Sequence, residues 1–193
     1  MTTEIITVFI ASYLSGSVPF GLILTKIFLN KDLRKIGSKN IGATNVLRTG
    51  NKIVAGLTLF LDISKGIIPV LVTKGYFTDL IYLSSLAAFL GHIFPVWLKF
   101  KGGKGVATYL GIIFILSFNL GVIFCVSWIL ISIASKYSSL SSILSAMIVF
   151  IVSFFNNNFV LTSYLFITFI IILYTHRQNI VRIKNKSEDK IKL

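Results

Sequence analysis

Lysine and glycine alternate through Lys101-Gly102-Gly103-Lys104-Gly105, between two long apolar segments, and those residue types together suit the binding of a phosphate. Glycine lets a backbone come close to a bound group and aim N–H donors at it, while lysine supplies positive charge. Three glycines within residues 102–105 are more than a turn requires. The plainer alternative is a basic loop that only marks the cytoplasmic side of a membrane. The P-loop spacing G-x-x-x-x-G-K-[ST] is absent, so ATP is not implied.

A second cluster runs from Gly37 to Arg48 and holds Ser38, Lys39, Asn40, Gly42, Thr44 and Asn45 between them. Residues 43–48 suit a helix opening whose N–H groups face an anion, with Ser38 or Asn40 near its cap. Arg48 would add a fork-shaped partner for phosphate oxygens. Glycine, serine and asparagine are also ordinary turn formers, so a solvated loop stays open as a reading. A third cluster, His176-Arg177-Gln178-Asn179, follows the last apolar run. His176 and Asn179 share a helical face and suit hydrogen bonding to a hydroxyl or phosphate, or the segment is a plain basic anchor.

Polar residues within apolar runs add to this set. Asp62 and Lys65 stand three apart and pair on one helical face, more as a structural ion pair than as catalysts. Ser139 and Ser142 open an apolar segment, where small hydroxyl residues serve helix contacts or reach a site. His92 reads as a buried, hydrogen-bonded histidine.

The absences narrow the chemistry. The six acidic residues, Glu4, Asp32, Asp62, Asp79, Glu188 and Asp189, form no cluster, so a two-metal phosphotransfer site lacks ligands. No histidine is followed five positions later by aspartate, and no serine sits in a G-x-S-x-G elbow. Cys125 is the one cysteine, which excludes a disulfide within the chain. What remains is a cationic, glycine-lined site with almost no candidate base.

The elements that must position these residues are membrane helices. The 193 residues are 55% hydrophobic and only 13% charged, with a mean hydropathy of +0.88. A soluble domain would carry more charge. Residues 1–10 hold Glu4 and no basic residue, a poor match to a removable signal peptide. Candidate spans are 4–26, 53–73, 80–98, 105–118, 120–135, 139–155 and 159–175, with 105–135 also readable as one over-long helix. Seven spans with the N-terminus outside put every basic residue except Lys65 and Lys74, of 19 in all, on the cytoplasmic side. Six spans would place the basic tail outside, against the positive-inside rule. The expectation is therefore an all-α integral membrane protein, one domain over residues 1–193, with seven transmembrane helices and a cytoplasmic C-terminus. The net charge of +13 then reflects orientation in a membrane and not nucleic-acid binding.

In these motifs the chain resembles the bacterial acyl-phosphate-dependent glycerol-3-phosphate acyltransferases. Gly37–Arg48, Lys101–Thr108 and His176–Asn179 are similar to that family's three motifs, in the same order between apolar spans. The resemblance extends to Ser15-Gly16-Ser17 with Pro19-Phe20-Gly21, to Leu61-Asp62 with Lys65-Gly66, and to Gly91-His92. It implies transfer of a fatty acyl group from acyl phosphate to the 1-position of glycerol 3-phosphate, giving lysophosphatidic acid and phosphate in phospholipid synthesis. By motif position, Ser38 and Arg48 become essential polar contacts, with Asn40, Thr44 and Asn45 beside them. Lys101, Gly102, Gly103, Lys104 and Gly105 become the phosphate-holding loop. His176 and Asn179 would help hold the glycerol phosphate, with Ser139 and Ser142 near the site. The implied setting is the cytoplasmic (inner) membrane with the active site on its cytoplasmic face, without cofactor, metal or obligatory protein partner. Lys186-Ser187-Glu188 departs from the family pattern, which carries glycine two residues before the glutamate.

An acyl phosphate is already activated, so its own phosphate is expected to accept the proton of the attacking hydroxyl. The rival reading is a transporter for small organophosphates. It calls for polar residues through the membrane depth and pseudo-symmetric halves, whereas here the polar groups gather at one face.

Overall fold

Backbone in lipid must satisfy its own N–H and C=O groups, and a helix does so within one segment, so the apolar runs fold as helices. In the computed structural model, which describes residues 1–191, regular structure is helical throughout, with no strand among the described residues. Lys192, counted above in the basic tail, lies outside them. The chain divides into two compact units, Met1–Ile115 and Leu116 onward.

The first unit holds α1 (Thr2–Ser17), α2 (Phe20–Leu29), α3 (Ala43–Leu47), α4 (Lys52–Tyr76), α5 (Ile81–Ile93) and α6 (Val106–Leu116). The first apolar run is broken in two because Pro19 lacks an N–H and holds Val18 in extended backbone (φ −63°, ψ 118°). Helices α1 and α5 meet through small residues. A Cβ at Gly16 would strike the Ala88 carbonyl, and one at Gly91 would strike that of Tyr13. The Ser12 and Ser84 hydroxyls bond across the same seam at 2.8 Å. Without a hydrophobic force between helices in lipid, such close backbone approach supplies the attraction. Gly16→Val is accordingly expected to cost about 3 kcal/mol, seen as a lower thermal midpoint of the purified protein.

The second unit holds α7 (Phe118–Ser135), α8 (Ser138–Ser153), α9 (Phe159–Thr175) and α10 (Arg177–Lys184). Lys136 in the left-handed region (φ 62°) turns the chain from α7 into α8, and the Asn158 side chain caps α9 at the Leu161 N–H. Phe150 gathers Phe154, Phe166 and Phe169 with ring centroids 5.2–6.1 Å apart.

Each expected span is built of helix, with breaks at 18–19 in the first and 94–95 in the third, and residues 105–135 form two helices parted at Ser117. Five segments are long and apolar enough to cross a bilayer: 2–29, 52–76, 78–98, 118–135 and 138–156. The pair α9 and α10, bent by 57°, makes a sixth if it is one span. Helix α6 has 11 residues, a rise of about 16 Å against a hydrocarbon core of about 30 Å.

Candidate active site

In the first unit the segment between α2 and α4 is a folded structure and not a solvated loop. Leu33, Ile41 and Val46 are buried with Val54 and Ala55 of α4. Asn45, 2% exposed, ties the segment together from inside. Its Nδ2 donates to the carbonyls of Leu33 (3.2 Å), Ile36 (3.0 Å) and Asn40 (2.7 Å). Its Oδ1 accepts the Ser38 N–H at 3.1 Å. Asn40 Oδ1 accepts the Gly42 N–H at 2.9 Å. Both asparagine oxygens are thus engaged with backbone, and the two residues shape the segment from within. Neither Ser38 nor Asn40 caps α3, which is a single turn of five residues.

Gly37 explains how Arg48 is placed. The glycine has φ +49°, and a Cβ there would lie 2.6 Å from Asn45 Oδ1 and 2.8 Å from Arg48 Cδ. The bare backbone lets the arginine stem cross it, next to the half-buried Ser38; Thr44 and Arg48 are exposed. A cavity of about 420 Å³ opens beside Arg48, lined by Lys31, Asp32, Lys35, Ile36, Arg48 and Thr49. Its one acid, Asp32, takes a two-point pairing from the Arg34 side chain, which lowers its pKa to about 2. The Asp32 charge is thus matched by Arg34, and Lys31, Lys35 and Arg48 are the other charged residues of the lining.

The glycine loop is tied to the end of α5. The Gly102 N–H goes to the Ile93 carbonyl (3.0 Å) and the Gly103 N–H to that of His92 (3.1 Å), so these two donors point to the end of α5 and not outward. What the loop can offer an anion is Lys104, half-buried, Lys101, exposed, and the start of α6 behind Gly105 (φ +81°). The expected ion pair is present and buried: Lys65 Nζ lies 2.8 Å from Asp62 Oδ1 and donates to the Val18 carbonyl at 2.7 Å.

In the second unit His176 sits at the joint of α9 and α10, 1% exposed, with Nδ1 2.8 Å from the Ile172 carbonyl. A carbonyl only accepts, so Nδ1 carries a proton. Asn179, on the same face of the next turn, donates to Glu188. That carboxylate also accepts from Ser139 (2.8 Å) and from Arg182 Nε (2.7 Å). Burial pushes the Glu188 pKa up, but the bonds from Asn179, Arg182 and Ser139 together hold it below the ordinary value. Ser142 is engaged internally as well, donating to the Ser138 carbonyl and accepting from Trp128 Nε1. These bonds tie Ser139 and Ser142 into the opening of α8.

Glu188 is the residue the motif reading undervalued. The available signal was its place in a chain with only six acids. Lys186 sits at φ +56°, a conformation that suits glycine and that the lysine nonetheless adopts.

Fold and site together define a helical membrane protein whose cationic clusters, built at helix ends, suit phosphate-bearing ligands. Comparison with known proteins makes this specific. The chain matches the family described as glycerol-3-phosphate acyltransferase over residues 6–186, and it belongs to that family. Glycerol-3-phosphate acyltransferase of Pelagibacter ubique is 54% identical, covering 98% of this chain and 99% of its own. That of Rhodopseudomonas palustris (strain BisB5) is 46% identical, with 96% and 95% covered. The crystal structure of PlsY (YgiH), an integral membrane glycerol 3-phosphate acyltransferase in its glycerol 3-phosphate form, superposes with a TM-score of 0.93 at 35% identity. That match covers 98% of this chain and 96% of the PlsY chain. The lysophosphatidic acid form of the same protein gives 0.90. Family membership makes the chain an acyltransferase of phospholipid synthesis.

Proposed function

We propose that this protein moves a fatty acyl chain from acyl phosphate to the 1-hydroxyl of glycerol 3-phosphate, releasing lysophosphatidic acid and inorganic phosphate. The observation that carries the reading is the placement of Arg48, laid across Gly37 beside an open surface depression that Lys31 and Lys35 also line. Arg48 with Ser38, and Lys104 with Lys101 at the start of α6, neutralise phosphate oxygens. His176 and Asn179 help hold the glycerol phosphate, and Asn179 holds this turn in place through Glu188. The glycerol 1-oxygen forms a bond to the acyl carbonyl carbon. Its proton passes to an oxygen of the donor's phosphate, and the acyl carbon–oxygen bond to that phosphate breaks. Position and charge supply the acceleration; orientation alone reaches effective molarities of about 10⁵ M. The chemistry calls for no cofactor and no protein partner.

The setting proposed with it is the cytoplasmic (inner) membrane, with seven spans, the N-terminus outside and the reaction on the cytoplasmic face. The positive-inside count supports this, with α6 as a short span that the bilayer accommodates by local thinning. Both units would serve one acyltransferase domain, as the continuous family match over 6–186 supports. The test is product stoichiometry: purified protein in lipid, given palmitoyl phosphate and labelled glycerol 3-phosphate, should release lysophosphatidic acid and phosphate one to one. Phosphate release without acylated glycerol phosphate would make it a hydrolase and end this reading.

A further inference from the structure

Directly beneath Gly102 and Gly103 stands His92, 4% exposed at the end of α5. Its Nε2 fills the volume that any side chain at residue 103 would need. Its carbonyl takes the Gly103 N–H. On the other edge of the ring, Nδ1 lies 3.1 Å from Thr108 Oγ1. That hydroxyl gives its one proton to the main-chain carbonyl of Asp62, 3.0 Å away. The bond between His92 and Thr108 must therefore be donated by Nδ1–H, which leaves Nε2, under Gly103, as the acceptor. The Asp62 carboxylate, 3.9 Å from Nδ1 and bridged to Lys65, favours the same arrangement. Polar groups this deep in an apolar protein are costly, and a connected network of them holds one geometry. None of these side chains has a part in the reaction proposed above.

We propose that His92 is the positioning residue of the Lys101–Gly105 loop. Its ring fixes the backbone of Gly103, with Gly102 held next to it by the His92 and Ile93 carbonyls, and with them the direction of Lys104 and the start of α6. The proposal rests on the reading of this loop as phosphate-holding. A loop in its binding shape only part of the time binds with affinity reduced by that fraction, while saturating ligand restores the shape. Loss of the support therefore raises KM for glycerol 3-phosphate more than it lowers kcat.

His92→Asn separates support of the loop from general stability. An asparagine amide can still donate to Thr108, but leaves space under Gly103. In the full-length protein in lipid, without ligand, amide exchange at residues 102–103 should rise about tenfold while α5 and the body of α6 keep their protection. KM for glycerol 3-phosphate should rise about tenfold with kcat within about threefold of the parent. Gly103→Ala should raise KM about tenfold alone, yet add less than about threefold in the His92→Asn background, where the methyl finds room. Unchanged exchange and KM in His92→Asn, or effects of the two changes that simply multiply, would overturn the assignment. If His92→Asn does not fold, Thr108→Val, which unties the ring without shortening it, takes its place in the exchange experiment: faster exchange at 102–103 supports the assignment and unchanged exchange overturns it. Exchange needs no substrate, so it reports on the loop even where wild-type protein makes no lysophosphatidic acid, the outcome that would refute the proposed function instead.

Discussion

Arg48→Ala is expected to lower kcat/KM about 10³-fold, equivalent to about 4 kcal/mol, with the thermal midpoint nearly unchanged. The two halves of that expectation come from different parts of the geometry. Arg48 is exposed, and the segment around it is held by the buried Leu33, Ile41 and Val46 and by the amide of Asn45. Removing an exposed side chain away from the core alters stability by about 0.5 kcal/mol or less. The catalytic loss is expected because Arg48 lines the depression with Lys31 and Lys35 and, of the three, only its side chain has a planar fork that suits two phosphate oxygens. Arg48→Lys restores the charge but not the fork, and should recover only about tenfold of the loss. Steady-state kinetics with each substrate varied, beside thermal unfolding of the same preparations, check both halves. A large loss accompanied by unfolding would assign Arg48 to the fold and not to the reaction.

Glu188→Ala should have the opposite profile, with stability falling first. The Glu188 side chain is 6% exposed and gathers Ser139, Asn179 and Arg182, joining α8, α10 and the following tail within the second unit. Its removal leaves three donors without their acceptor, at a cost of about 3 kcal/mol. Activity falls with it, because Asn179 and the turn bearing His176 lose their anchor. The pH dependence has a definite sign. The folded-state pKa of Glu188 lies below its ordinary value of 4.5. Its contribution is therefore complete above about pH 4.5 and is lost as pH falls through the lowered folded value. Wild-type stability should decline over that acid range, and Glu188→Gln should flatten the decline. Equal acid sensitivity in wild type and Glu188→Gln would mean that other groups control it.

The sequence made the helical segments legible because each is a continuous apolar run, and hydropathy registers such runs directly. It did not show where they break. The first run looks whole across Pro19, and the division at Ser117 turns on one residue in extended backbone, which a hydropathy average hides. The phosphate-binding residue types were legible by composition and order, but their individual duties were not. Asn45 and Arg48 are three residues apart, yet one is buried with its amide spent on backbone and the other is exposed beside a cavity. Nothing local separates those fates; burial of the segment against α4 decides them. The glycines of the basic loop serve packing before they serve an anion. Gly102 and Gly103 are bare because the end of α5 and the His92 ring lie against them, and their N–H groups point into that contact. Glu188 was obscured because its partners come from positions 139, 179 and 182, a convergence that only the folded tail creates.

The central claim is that the donor's own phosphate takes the proton while the protein supplies charge and position. Donor exchange tests it most directly. Purified wild-type protein in lipid would be given labelled glycerol 3-phosphate with either palmitoyl phosphate or palmitoyl-CoA, at equal concentrations. A thioester carries no phosphate oxygen at the reacting carbon, so the account predicts lysophosphatidic acid from palmitoyl phosphate and none from palmitoyl-CoA. Comparable product from palmitoyl-CoA would contradict it and require a base within the protein.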